Sequence, residues 1–274
     1  MLDVRAVCFL GNSVGEMDGM SESMVFDIET GALPLKELQN ILPPFDASAQ
    51  KHPGEFDPKS VKLGNLKDEK LIAEKIETAK QKHEDAVKQF ESSLAGAEDR
   101  YWQSITDKAA LSAITGQVIA IGYKSSKATV IQGQGENNDS EVSVIRKFWS
   151  TYQKFREQTR KMVGFNIQDF DLPFLVQRSI ILGIPVPSSL FHQGKYLDSL
   201  FIDLRKIWGA GKWNADGSLD AICKACRIGK KPDDVGGADF ASLWMNPETR
   251  EKGRGYLLND LDMTWALADR ANCL

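Results

Sequence analysis

Histidine and cysteine are both scarce in this sequence, with three and four residues in 274. His52, His83 and His192 are scattered and match no metal-site or nucleophile spacing, so nothing points to histidine-based chemistry. The cysteines (Cys8, Cys223, Cys226, Cys273) are too few and too uneven for a disulfide framework, and a reducing, cytoplasmic setting is expected. No apolar run approaches the ~20 residues of a transmembrane helix, so no membrane association is expected. Residues 1–21 contain one short apolar stretch (6–10) and no basic leader; they are expected to form a loose N-terminal extension rather than a signal peptide. Basic charge is not in excess either, because 34 Lys and Arg face 38 Asp and Glu, a net charge of −4. That argues against a protein coated in basic residues for nucleic-acid binding. It leaves room for a nuclease, in which metal ions rather than lysines can hold the scissile phosphate.

What is present is an α/β pattern. Met-Val-Phe-Asp-Ile-Glu-Thr at 24–30 is a short β-prone run closed by Gly31. Residues 32–58 are rich in Pro, Gly and polar residues and read as an irregular loop. Residues 66–94 read as one long charged helix whose stripe is Ile72, Ile76, Ala79, His83, Ala86 and Phe90. That stripe is too weak for a self-sufficient coiled coil, so the helix is expected to pack on the core as an insertion. Two β-rich runs, 116–123 and 127–132, form a hairpin pattern. An amphipathic helix follows, marked by Val142, Ile145, Phe148, Trp149, Tyr152 and Phe155. Then come a strand at 162–167, a helix at about 172–182, a strand at 196–197, and helices at 218–226, 238–245 and 248–271. This order suits a three-layer α/β domain with a mixed β-sheet, occupying 22–274 with an insertion at about 32–110.

The chemistry is carried by carboxylates. Hydrolysing a phosphodiester by two-metal catalysis needs hard oxygen ligands that hold divalent ions ~3.5–4 Å apart. Asp27 and Glu29 lie two apart on a predicted strand and so project from one face, while Phe26 and Ile28 face the core. Adjacent like charges repel on a strand, and a bound cation would remove that objection. Asp171 stands where a strand gives way to a helix, the usual place for a site in open α/β sheets. Taken alone, it is accounted for equally well as a helix cap before Pro173. Tyr256 and Asp260 are four apart and share a helix face; as an isolated pair they could be a core tyrosine beside a solvated acid.

Together and in order, Phe-Asp-Ile-Glu-Thr (26–30), Asn-x-x-x-Phe-Asp (166–171) and Tyr-x-x-x-Asp (256–260) resemble the three motifs of the DEDD exonuclease superfamily. The tyrosine of the third is similar to the tyrosine-type branch, which includes the proofreading domains of family B DNA polymerases and ribonuclease D. Gly-Phe-Asn-Ile-Gln-Asp-Phe-Asp-Leu-Pro-Phe-Leu (164–175) resembles the family B version most, and Gly-Ser-Leu-Asp-Ala-Ile-Cys (217–223) resembles a common lead-in to the third motif. The resemblance implies a ribonuclease H-like fold, two Mg²⁺ or Mn²⁺ ions, and removal of nucleotides from single-stranded or frayed DNA 3′ ends, with RNA 3′ ends as the alternative. It also implies Asp27, Glu29, Asp171 and Asp260 as metal ligands, Tyr256 as the residue orienting the attacking water, and Thr30, Asn166 and Phe170 as substrate contacts. With no polymerase sequence after the third motif, a stand-alone exonuclease or a subunit is expected. The helical insertion would guide substrate or bind a replication or repair partner. A catalytically silent nucleic-acid-binding protein on the same fold is the rival from another class, and the four acids argue against it.

Other features read as structural. Cys-x-x-Cys at 223–226 lacks a second ligand pair and is expected to be two small residues on an amphipathic helix. Gly236-Gly237, following Lys230-Lys231, is expected to be a surface loop. Trp102, Trp208, Trp213 and Trp244 could stack on bases, but packing is the commoner fate of tryptophan.

Overall fold

The computed structural model describes residues 23–49, 51–192, 196–212 and 216–274. The expected N-terminal extension and Trp213 lie outside them. The chain divides into two compact units, one running up to Leu33 and from Lys108 onward, the other spanning Pro34–Asp107. No helix among the described residues is long and apolar enough to cross a membrane.

Strand β1 (Met24–Ala32) is the first element among the described residues. In the 34–107 unit the expected loop contains a helix, α1 (Leu35–Ile41). Pro34 pre-sets its entry and Pro43-Pro44 lie just beyond its end, so the prolines delimit a helix rather than exclude one. Helix α2 (Glu69–Leu94) begins where the Asp68 carboxylate accepts the Lys70 amide at 2.9 Å. Its half-buried stripe is Ile72, Ile76, Ala79, His83, Val87 and Phe90, so Val87 takes the place expected of Ala86. His83 and Phe90 carry the contacts: Phe56 lies 5.6 Å from the His83 ring and His52 lies 4.9 Å from Phe90. Gly96, at φ 68°, turns the chain into α3 (Ala97–Ala109), whose Tyr101 donates to the Pro43 carbonyl at 2.9 Å.

The other unit holds a mixed five-stranded sheet. Its members after β1 are β2 (Gly116–Lys124), β3 (Thr129–Gly133) and β4 (Met162–Gly164). Next come a separate two-stranded pair, β5 (Phe191–His192) and β6 (Tyr196–Leu197), and then β7 (Phe201–Asp203), the fifth strand of the main sheet. The order is β3-β2-β1-β4-β7; the hairpin side is antiparallel, and β4 and β7 run parallel to β1. The strand expected to continue to 167 stops at Gly164. The strand expected at 196–197 belongs to the small pair instead.

Helices cover both faces. On one, Met24, Phe26 and Ile28 meet Phe148 and Tyr152 of α4 (Glu141–Glu157) and Leu172 and Leu175 of α5 (Asp171–Ile181). A buried ion pair ties this layer together: Arg178 holds both Glu141 oxygens at 2.8 and 2.6 Å, and Glu141 also accepts the Val118 amide at 2.8 Å. After α6 (Leu204–Gly209), the other face receives α7 (Leu219–Cys226), α8 (Gly237–Met245) and α9 (Arg250–Arg270). There Val25, Ile119 and Ala120 pack with Ile222, Phe240, Trp244, Leu257 and Leu261.

Two local features bring α9 close to β1. Glu29 pairs with Ala120 but Thr30 pairs with Val118, so Ile119 is an extra residue and β2 bulges beside Glu29. Gly122 sits opposite Asp27, and a Cβ there would meet Leu261 Cδ1 at 2.7 Å and Leu257 Cγ at 3.1 Å. Gly122→Ala is therefore expected to push α9 away from the sheet, costing about 1–3 kcal/mol of stability from overpacking. Any activity that depends on how α9 sits against β1 should fall at the same time, because small displacements of functional groups are costly. Thermal melting and initial rates check this; an unchanged rate would mean that Leu261 simply rotates aside.

Candidate active site

Asp27 and Glu29 point to the α9 side of the sheet, the same side as Val25. From α9, Tyr256 and Asp260 arrive one turn apart. One carboxylate oxygen from each of Asp27, Glu29 and Asp260 lies within 4.8 Å of the others. Asp171 reaches the same place from the opposite layer, as the first residue of α5. Because β4 pairs only with Met24 and Val25, that edge of β1 is open at Ile28. There the Asp171 carboxylate accepts the Ile28 amide at 3.2 Å, standing in for a neighbouring strand. Asp27, Glu29, Asp171, Tyr256 and Asp260 line one cavity of about 320 Å³.

The cluster is strained electrostatically. Burial, then Asp171, Glu29 and Asp260 in turn, raises the Asp27 carboxyl well above its ordinary range. Burial and then Asp260 do the same to Glu29. Burial lifts Asp171 to about 7, although the Ile28 amide pulls it down. Asp260 is raised by burial and lowered by Lys231. Burial and Asp260 push the Tyr256 phenol up to about 12, so it stays protonated at neutral pH.

Lys231, which sequence reading assigned no role, is also placed in this cluster. Its ammonium lies 2.5 Å from Asp260 Oδ2 and 2.7 Å from the Tyr256 hydroxyl, and 4.7 Å from that ring's centre. Asp220 of α7 accepts the Lys231 amide at 2.7 Å and fixes its backbone. The only sequence signal was the 217–223 lead-in, in which Asp220 proves to be the residue holding Lys231. Gly236 and Gly237 are no plain loop: they begin α8, and a Cβ on Gly237 would lie 3.4 Å from the Tyr256 hydroxyl.

The donor set suits a divalent cation. It consists of hard carboxylate oxygens, and Asp260 Oδ1 is buried with no hydrogen-bond partner among the described residues. A cation coordinated there would satisfy that oxygen and relieve the repulsion that raises Asp27 and Glu29.

The 166–170 turn forms another wall. Asn166 adopts φ 65°, and Asp203 at the end of β7 holds the turn by accepting the amides of Asn166 and Gln168, both at 2.9 Å. Arg205 donates to Asn166 Oδ1 at 3.0 Å, and Asn166, Phe170 and Arg205 all line the cavity. Sequence reading missed Asp203 and Arg205, which belong to a strand of only three residues and a helix of six. Thr30 is placed differently: its hydroxyl donates to the Ala110 carbonyl at 2.8 Å, and it is not among the described residues lining the cavity. Cys223 is buried, its thiol pushed up to about 11 by burial, and its sulfur lies 3.8 Å from the Met263 carbonyl. Cys223 and Cys226 lie on helix α7, as expected, with Cys223 in the core.

A comparison with curated proteins returns no match. Residues 108–272 match the model of a family described as a predicted 3'-5' exonuclease related to the exonuclease domain of PolB. The matched span covers Asn166, Asp171, Lys231, Tyr256 and Asp260 but begins after Asp27 and Glu29, which join it through the sheet. It takes in more than half of the chain, and the chain belongs to this family.

Proposed function

We propose that this cavity is the active site of a metal-dependent 3′–5′ exonuclease of the tyrosine type, on a ribonuclease H-like domain, shortening single-stranded or frayed DNA. The observation that carries the reading is the convergence of Asp27, Glu29 and Asp260 within 4.8 Å, with Asp171 and Tyr256 in the same cavity. Two Mg²⁺ or Mn²⁺ ions held by the four carboxylates would supply charge neutralisation at the phosphate and a water acidic enough to attack. Tyr256, protonated at neutral pH, acts as a hydrogen-bonding group that orients the water and not as a base. Lys231 positions the Tyr256 hydroxyl and offers a positive charge beside the reacting phosphate. Asn166 and Phe170 contact the terminal nucleotide. The family's relation to PolB favours DNA over RNA.

The roles of Tyr256 and Lys231 separate by substitution. Tyr256→Phe should slow turnover about 10- to 1000-fold with metal affinity nearly unchanged, since the phenol is no metal ligand. Lys231→Met should tighten metal binding, because an ammonium no longer competes for Asp260, while slowing turnover about 10- to 100-fold. Full-rate cleavage by the Phe variant would make Tyr256 a packing residue.

DNA and RNA oligonucleotides of one sequence, each incubated with Mg²⁺, Mn²⁺ or EDTA, test the substrate. Metal-dependent shortening that is faster on DNA is expected. Faster shortening of RNA would move the reading to an exoribonuclease.

A further inference from the structure

Trp208 is nearly half exposed, at 48%, although its indole is the largest apolar side chain on α6. Its ring is not loose. The indole nitrogen donates to the Asp216 carbonyl at 2.9 Å, and any side chain on Gly217 would begin 3.8 Å from that nitrogen. An aromatic face is thus presented to solvent with its nitrogen edge tied down. Its location connects it to the acid cluster by two routes. Arg205 precedes it by three residues, so the two share a face of α6, and Arg205 lines the catalytic cavity. On the other side, Asp216 and Gly217 lead directly to Ser218 and Leu219, which line the same cavity. The indole is therefore tied to both segments that line the cavity, three residues from Arg205 on α6 and hydrogen-bonded to the residue two before Ser218.

Resting on the exonuclease reading above, we propose that Trp208 is a stacking platform for a nucleobase upstream of the scissile phosphate, with Arg205 meeting the backbone between them. Stacking on a fixed indole is tolerant of sequence, as a site that shortens strands of any sequence requires. It favours a single strand, because inside a duplex both faces of a base are stacked on neighbouring pairs. The occupant is the retained strand, since the terminal nucleotide fills the cavity between the carboxylates and Phe170.

The test pairs Trp208→Ala and Trp208→Phe with single-stranded oligonucleotides carrying one abasic residue at each of the three positions upstream of the scissile bond. On intact substrate, Trp208→Ala should raise KM about 5- to 100-fold with kcat little changed, and Trp208→Phe should recover most of the loss. At one abasic position wild type should show the same rise in KM, and Trp208→Ala should add nothing to it. If wild type cleaves but the penalty of Trp208→Ala is the same at every abasic position, or is absent, the platform is overturned. If wild type cleaves no oligonucleotide at all, it is the exonuclease reading that fails.

Discussion

Alanine in place of Asp27, Glu29, Asp171 or Asp260 is expected to lower nucleotide release by roughly a thousandfold or more, a loss of about 4 kcal/mol of transition-state stabilisation. The four variants should separate in stability even though they agree in activity. Asp27 and Glu29 are raised by burial and by neighbouring acids, so their removal relieves repulsion and should stabilise the metal-free protein. Asp171→Ala leaves the Ile28 amide without its acceptor, and Asp260→Ala strips Lys231 of its counter-ion. Those losses, about 1–3 kcal/mol each, offset the relief of removing a raised carboxyl, so both variants should be less stable than the Asp27 and Glu29 variants. Initial rates and thermal melts without metal read out both patterns. A near-wild-type rate in any variant would remove that residue from the site.

A second large effect is expected from pH and metal acting together. A carboxyl raised in the folded state holds its proton where the unfolded chain has already released it, so the folded state binds more protons and loses stability as pH rises. For Asp171 the window runs from the ordinary value of 3.8 to about 7, and Asp27 and Glu29 act in the same direction. Each group costs about 1.4 kcal/mol per pH unit inside its window. At about 2–4 °C per kcal/mol for domains of about 150–250 residues, the metal-free melting temperature should fall clearly between pH 5 and pH 7.5. Mn²⁺ should reverse most of that fall, because it binds the deprotonated folded state alone. A melting temperature flat with pH, or insensitive to Mn²⁺, would mean that the acids do not share a buried site.

Strand β1 and helix α9 were legible because their signals are local. Asp27 and Glu29 declare a shared face by alternation, and Tyr256 and Asp260 by helical spacing. Gly253 and Gly255 weaken α9 by propensity, yet it still begins at Arg250, with Gly253 buried beside Leu243 and Trp244. What stayed hidden depends on tertiary pairing. Phe201–Asp203 is too short to show alternation, and it becomes a strand only through β4. Lys231 looks like any lysine in a polar stretch until Asp220 and α9 place it among the acids. The bulge at Ile119 leaves no mark in the sequence, since Val-Ile-Ala-Ile reads equally well as a regular strand.

Carboxylates from β1 and from the helices on both faces of the sheet should make one metal-dependent site acting at 3′ ends. A 5′-labelled single-stranded DNA oligonucleotide, resolved at single-nucleotide steps over time with Mg²⁺ or Mn²⁺, tests it most directly. The expected result is a ladder descending one nucleotide at a time from the 3′ end, abolished by EDTA and by Asp260→Asn. Internal cuts, shortening that persists in EDTA, or a ladder unchanged in the Asp260→Asn protein would contradict it.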